Sequence, residues 1–503
     1  MEIFRLRKNL KILFVGTEAS PFVKVGGLAS IMYSLPKALS DLGHDARVMI
    51  PRYLSISDEL SHLKMSHPDL RVPTDNTEGP KELICNVKVC EADTSSAAVT
   101  TYFIENQEYY EQRANVYGYA DDPIRWALLC RGTLEFIRQG KWIPDVIVSL
   151  DWQTALIPNY LKTVYKTDPV LSKISSVYSI HNLFYQSIYD HHFVSEMDFD
   201  DGHSPIPNFE NPRLSKVNFM RRGIMYADTI NTVSPNYSKE IMTKEYGELL
   251  DELLRERRAV VSGILNGLDY DIWNSKTDKY IGHPYSAFNL AIREKNKEVL
   301  QERFNLNKDK NAFVISIVSR LSRQKGLDLL FNISDLLLQE LPVQFVIVGE
   351  GESDIMGFFH DLETRHPGRV ATHLKFDSVL PHIVFAGADV TLVPSRFEPC
   401  GLVQMEAMRM GCIPIVRNTG GLADSVEDYN PDHNTGDGFI FEKFDSSSLM
   451  IALIRAFENF RNKKAWYELQ KRAMQKDFSW NYSAKKYIDL FNRAIEIHTR
   501  TSK

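Results

Sequence analysis

The sequence predicts an α/β protein built from two successive doubly wound domains. Short β-branched runs recur along the chain, each is followed by polar or glycine-rich residues and then by a longer segment with helical spacing, and the series occurs twice. A length of 503 residues, set against roughly 150 residues per domain, gives about three units or two large ones and excludes one small one.

The first series of runs comprises Lys11–Gly16, Ala46–Ile50, Val146–Leu150, Ser176–Ile180 and Thr229–Val233. The second comprises Ala312–Ser319, Val343–Gly349, Val390–Pro394 and Ile413–Val416. Continuous apolar runs suit strands covered on both faces, which is the condition of a parallel sheet flanked by helices. After the first run, Leu28, Ile31, Met32, Leu35, Leu39 and Leu42 fall at the three-and-four spacing of one buried helical stripe, and Gly43 ends it. Pro36 inside that stripe predicts a kink. His191–Arg213, rich in Asp, His, Pro and Asn, reads as a long loop. The polar stretch Lys239–Arg258 gives way to Ser262–Gly267, which sets the seam near Val260 and gives domains of 1–260 and 261–479. The closing segment, 480–503, has the length and pattern of a helix over Trp480–Ile497.

Composition narrows the class. An apolar fraction of 44% and a charged fraction of 25% are those of an ordinary globular chain, so disordered and coiled-coil readings have no support. With 59 basic and 65 acidic residues the net charge is −6, which gives no general attraction to nucleic acid or acidic lipid; any anion site is therefore local. The five cysteines, Cys85, Cys90, Cys130, Cys400 and Cys412, are odd in number and form no C-x-x-C pair, so neither a disulfide framework nor a structural zinc site is expected. The apolar run Ile12–Val15 is too short for a signal-peptide core, and no run approaches the length of a membrane span. The expectation is a soluble, cytoplasmic protein, with a plastid left open.

Several strand ends carry residues suited to chemistry. Lys24-Val25-Gly26-Gly27-Leu28 sits at the mouth of the first helix, where glycine amides, the helix N-terminus and a lysine together outline an anion site; a plain turn with a solvated lysine fits the fragment equally well. The spacing is neither G-x-G-x-x-G nor G-x-x-x-x-G-K-[ST]. Arg320 and Lys325, in Ser319–Gly326, follow the strand that opens the second half, and strand ends are where α/β ligand sites form. Two cations there suit a diphosphate, each pair worth roughly 4 kcal/mol at 4 Å and an effective dielectric near 20, before desolvation. Glu398 lies in a turn and Glu406 eight residues on, a separation that places both along one side of a helical element. Thr419-Gly420-Gly421-Leu422 repeats the glycine-at-helix-mouth pattern.

These residues also carry a resemblance. Lys24–Leu28, Asp151-Trp152-Gln153, His181-Asn182-Leu183, Thr232–Pro235, Leu265–Asp269, Ser319–Gly326 and Pro394–Leu402 occur in order along most of the chain. As a set they resemble the motifs of bacterial glycogen synthases and plant starch synthases. The resemblance implies the GT-B architecture: two Rossmann-like domains facing across a cleft, the first on the acceptor side, the second on the donor side, with a C-terminal helix crossing back to complete the first. It implies a retaining glucosyltransferase that moves glucose from a nucleotide-diphosphate donor, with ADP-glucose favoured, to the nonreducing end of an α-1,4-glucan.

By the same resemblance Arg320 and Lys325 neutralise the diphosphate, Glu398 holds glucose hydroxyls with help from the backbone of Cys400, Gly401 and Leu402, and His181 and Asp151 line the sugar site. Lys24, Gly26, Gly27 and Thr419–Gly421 contact the phosphates, Asn266 the donor sugar, Glu406 the ribose, and Phe376 stacks on the base. No cofactor or metal is expected, and the D-x-D pairs Asp198-x-Asp200 and Asp269-x-Asp271 are too sparse in ligands for a hard metal. The implied partners are the donor and the glucan, with no nucleic acid or membrane.

Three positions depart from the family pattern in character, and a fourth, Arg221, replaces a usual lysine with the charge retained. Ser30 replaces an aspartate, Leu150 a histidine and Ser187 a glycine, all in the first half, so acceptor handling is what they bear on. Two competing readings follow, a GT-B transferase acting on a small sugar or sugar phosphate, and a non-catalytic glucan-binding homologue. Retention of Lys24, His181, Arg320, Lys325 and Glu398 favours the enzyme.

Overall fold

The computed structural model describes residues 9–92, 97–187 and 200–501. The chain divides into two compact units, one made of residues 1–233, 238–264 and 480–503, the other of residues 234–237 and 265–479.

The first unit holds β1 (Lys11–Val15), β2 (Asp45–Pro51), β3 (Lys64–Pro73), β4 (Glu82–Cys90), β5 (Thr101–Glu105), β6 (Val146–Leu150), β7 (Ser175–Ile180), β8 (Thr229–Thr232) and β9 (Val261–Gly263). They form one sheet in the order β3-β4-β5-β2-β1-β6-β7-β8-β9. Pairing is parallel from β5 through β9, and β4 runs antiparallel to both β3 and β5. Every residue of β6, β7 and β8 is buried, as expected of strands with helices on both faces. The chain order reverses between β2 and β6 on either side of β1, which makes β1 the topological switch point.

The helix Gly27–Asp41 follows β1 and is continuous through Pro36. Its buried face of Ala29, Ile31, Met32, Leu35, Ala38 and Leu39 holds it there, which outweighs one missing amide bond. Gly43, at φ 89°, closes its end, with its N–H donating to Ser40 O and that of His44 to Leu39 O. The helix Trp480–Thr501 also belongs to this unit. Its buried stripe of Trp480, Ala484, Tyr487, Phe491, Ala494 and His498 sets Phe491 edge-on to Phe14, bonds Tyr487 to Asn231 at 3.2 Å, and places His498 3.1 Å from Asp228.

The second unit is an all-parallel sheet of β10 (Phe313–Val318), β11 (Val343–Val348), β12 (Val370–His373), β13 (Val390–Val393), β14 (Ile413–Arg417) and β15 (Phe439–Phe441), in the order β12-β11-β10-β13-β14-β15. Here β10 occupies the switch point, between β11 and β13. The fold class is the one the sequence predicts, two Rossmann-like α/β units.

Of the expected loop over residues 191–213, positions 191–199 lie outside the described residues, Asp198 among them. Asp200 is committed to a buried ion pair with Arg222 at 2.7 Å, and Asp269 accepts the N–H of Asp271 at 2.9 Å. No cluster of His, Cys, Asp and Glu fit for a metal, and no helix long and apolar enough to cross a membrane, occurs among the described residues. All five cysteines are free and buried.

Candidate active site

In both units several expected site residues follow the carboxyl ends of parallel strands at or next to the switch point, Lys24, Gly26 and Gly27 after β1, Asp151 after β6, Arg320 and Lys325 after β10 and Glu398 after β13, whereas His181, Asn266, Phe376 and Thr419–Gly421 follow strands further out.

In the first unit, Asp151 immediately follows β6 at φ 55° and ψ −174°, a strained conformation otherwise almost confined to glycine. This turns its carboxylate toward β7, where Oδ1 accepts the N–H of His181 at 2.7 Å and that of Asn182 at 3.3 Å. Burial pushes the Asp151 carboxyl up to about 7 against those two amides, with the Glu18 charge adding to the rise. Burial likewise lowers His181 to about 4, so its ring is neutral at physiological pH. One ring nitrogen, Nε2, lies 3.1 Å from Ser179 Oγ; the other, Nδ1, is buried with no hydrogen-bond partner among the described residues. A satisfied core histidine would have no such orphan.

Lys24, Gly26 and Gly27 are exposed at the N-terminus of the helix that follows β1. The sequence counts both glycine amides toward an anion site; in the structure the Gly26 N–H is taken by the Glu18 carboxylate at 2.8 Å, and the Val25 N–H by the same oxygen at 2.5 Å. Gly27 is the open one of the pair: a Cβ placed there would meet nothing within 4 Å.

Ser187 stands where the family pattern has glycine, and the backbone shows why glycine suits it, since φ is 73°. Its hydroxyl donates to Val217 O and accepts the Phe219 N–H, both at 2.9 Å, which offsets the strain of a side chain in that region. Leu150 is a buried residue of β6, and Ser30 is a half-buried residue of the first helix.

In the second unit, the loop after β10 is drawn against the loop after β13. Gly326, at φ 67°, lets the two backbones touch: a Cβ there would lie 2.0 Å from Pro394 O. Arg396 N–H donates to Gln324 O at 2.9 Å across the same seam. The approach delivers Lys325 Nζ to Glu398 Oε2 at 2.6 Å, and Ser395 Oγ donates to that oxygen at 2.9 Å. Both charged side chains are largely buried, at 17% and 8% exposed, so each neutralises the other in place of water. Arg320, by contrast, is exposed and has no ion-pair partner among the described residues.

Glu398 is tied in twice, because its main-chain oxygen also accepts the Gly421 N–H at 3.0 Å. This joins Pro394–Leu402 to Thr419–Gly421 at the mouth of the helix Gly420–Ser425. Asn266 is buried, and its Oδ1 has no hydrogen-bond partner among the described residues. Burial pushes the Cys400 thiol up to about 12, so it is inert as a nucleophile. The helix Val403–Arg409 starts after Leu402, so Glu398 lies in the turn before it, where the sequence places it, and Glu406 is helical. Phe376 lies apart in the loop after β12, its ring 76% exposed. Two supporting residues escaped the sequence reading, Glu18 and Ser395. The motif set frames Ser395, but no spacing rule marks Glu18.

Comparison with known proteins identifies the family. Residues 11–256 match the model for the starch synthase catalytic domain, and residues 298–473 that for glycosyl transferases group 1. The glycogen synthase of Thermotoga petrophila is 40% identical over 97% of this chain and 99% of its own, and that of Clostridium beijerinckii 41% identical over 96% and 98%. The catalytic domain of starch synthase IV from Arabidopsis thaliana, solved with ADP and acarbose, superimposes with a TM-score of 0.83 at 30% identity, covering 97% of this chain and all of that one. The chain therefore belongs to the glycogen and starch synthase family, and it is a hexosyltransferase of the GT-B fold class.

Proposed function

We propose that the protein is a retaining glucosyltransferase that takes glucose from ADP-glucose and adds it to the nonreducing end of an α-1,4-glucan in the cytoplasm. The observation that carries the donor half of this reading is the Lys325–Glu398 pair past the switch-point strand of the second unit, with the exposed Arg320 in the same loop as Lys325. A glucose diphosphate needs cations for its phosphates and a carboxylate for its hydroxyls, side by side, and that pair supplies both.

In this reading residues 261–479 serve the donor and residues 1–260 with 480–503 serve the acceptor. Arg320 and Lys325 stabilise charge building on the departing diphosphate, in place of a metal. Glu398, released from Lys325 as the phosphate engages it, takes sugar hydroxyls, with the backbone of Cys400, Gly401 and Leu402 assisting. Thr419, Gly420 and Gly421 border the phosphates, Asn266 offers its unpartnered Oδ1 to the sugar, Glu406 meets the ribose, and Phe376 offers an exposed ring to the base. Lys24 and the Gly27 amide add to the phosphate contacts, and His181 offers its unpartnered Nδ1 to a glucose hydroxyl.

Retention is what the family implies, and the engagement of Asp151 bears on its route. The Asp151 carboxylate is committed to backbone N–H groups, so it is not disposed as a free nucleophile in the two-carboxylate manner of glycosidases. The acceptor hydroxyl attacks on the face the diphosphate leaves, and a diphosphate oxygen takes its proton.

The test is incubation with labelled ADP-glucose and glycogen, with UDP-glucose run beside it. Label entering polymer, faster from ADP-glucose, is the expected result. Label confined to a small product contradicts the glucan acceptor, faster transfer from UDP-glucose contradicts the donor, and absence of nucleotide release with either donor contradicts catalysis.

A further inference from the structure

Glu18 is a buried carboxylate, 3% exposed, three residues past the end of β1. One of its oxygens, Oε2, accepts both the Val25 and the Gly26 N–H groups; the other, Oε1, lies 3.4 Å from the hydroxyl of Tyr117, which is itself 2.7 Å from Thr17 Oγ1. The residues that this carboxylate holds from beneath, Lys24 to Gly27, are exposed. An anion fixed at the N-terminus of the helix Gly27–Asp41 satisfies amides that have no intrahelical partner and is favoured by the helix dipole. Other backbone bonds of the loop, Val23 N–H to Ala19 O and Ser20 N–H to Ala29 O, both at 3.0 Å, involve none of residues 24–27.

We infer that Glu18 is a positioning residue, which sets the Val25–Gly26 backbone so that Lys24 and the Gly27 amide face the reacting diphosphate. This rests on the proposed phosphate role of Lys24. It also removes the Gly26 amide from the donor contacts, since that N–H is occupied. The geometry makes a specific demand on the side chain. Because a single oxygen takes both amides, a glutamine can do the same with its carbonyl oxygen while its NH₂ donates to the Tyr117 hydroxyl; an alanine can do neither.

The test is a double-mutant cycle on the full chain, reading glucose incorporation from ADP-glucose into glycogen for wild type, Glu18→Ala, Glu18→Gln, Lys24→Ala and Glu18→Ala/Lys24→Ala. Glu18→Ala is expected to lower kcat/KM on the order of 10²-fold, as a small misplacement of a reacting group does. Glu18→Gln restores most of that loss, and Glu18→Ala costs nothing more once Lys24 is gone, because it acts through Lys24. A merely structural role would give additive losses in the cycle. Additivity, a Glu18→Gln variant as impaired as Glu18→Ala, or a Glu18→Ala variant at the wild-type rate beside an impaired Lys24→Ala would each overturn the inference and leave the role of Lys24 standing. Wild-type kinetics for Lys24→Ala overturns that role, and the inference with it.

Discussion

Both units set a pair of glycines at the mouth of a helix, and they hold the pair by different means. In the first, Gly26 and Gly27 rest on a side chain: Glu18 takes the Gly26 amide, and space around Gly27 is open. In the second, the Gly421 N–H rests on the main-chain oxygen of Glu398, with Gly420 at φ 46° and Cys400 O only 2.0 Å from where a Cβ of Gly421 would be. The same short motif thus yields a loop that one substitution can loosen and a turn that requires glycine itself. The second is the preformed seat, the first the adjustable one.

That contrast breaks most visibly at Gly421. Gly421→Ala forces the Cys400 and Glu398 backbone apart, and is expected to abolish transfer and to destabilise by about 3 kcal/mol, the upper range for overpacking; activity and a thermal melt read it. Glu398→Ala comes next. It strips Lys325 of its counter-charge while leaving the main-chain bond to Gly421, so it lowers stability by about 3 kcal/mol, the low end for breaking a buried pair. A denaturant midpoint unchanged in that variant would mean the pair is not held as described.

The first unit is sharpened by pH. Between 4 and 6.5 the folded state keeps Asp151 protonated and His181 neutral, whereas in the unfolded chain the aspartate, at its ordinary 3.8, is ionised and the histidine, at its ordinary 6.5, is protonated. Each state then binds one proton at this pair, and the two contributions to the pH slope of stability cancel. Asp151→Asn removes one side of the balance: the unfolded chain alone takes a proton, so stability falls as pH drops from 6.5 to 4, more steeply than in wild type. Denaturant midpoints at the two ends of that window check the sign. The smallest effect belongs to Gly27→Ala, which meets nothing within 4 Å and adds a good helix former at the first helical position; its melting temperature is expected at or slightly above that of wild type, with activity lowered far less than by Gly421→Ala.

The parallel strands were legible because runs such as Val146–Leu150 and Val390–Val393 are apolar at consecutive positions, which only a doubly covered strand permits. The hairpin of β3 and β4 was not. Lys64–Pro73 contains His67, Pro68 and Asp69, is mostly exposed and carries register shifts on either side of His67, so it shows neither a continuous nor an alternating pattern. At the site, charge type and position past a strand end were enough to pick out Arg320, Lys325 and Glu398. Sequence does not show that the last two are bonded to each other, since residues 73 positions apart meet only when Gly326 brings two loops together. Glu18 illustrates the same limit. Nothing in Thr17-Glu18-Ala19 marks a buried acid, and glycine amides counted as open from sequence are open only if no side chain already occupies them. The substitution of Ser187 for glycine is a departure in sequence whose geometry is retained through two hydrogen bonds.

The central claim is that Lys325 holds the diphosphate of the donor. Transfer of labelled glucose from ADP-glucose to glycogen, compared between wild type and Lys325→Ala at matched folded concentration, tests it directly. A loss in kcat/KM on the order of 10²- to 10³-fold is the predicted result, as for removal of one electrostatic partner of a developing charge. Unchanged kinetics in Lys325→Ala would contradict the account.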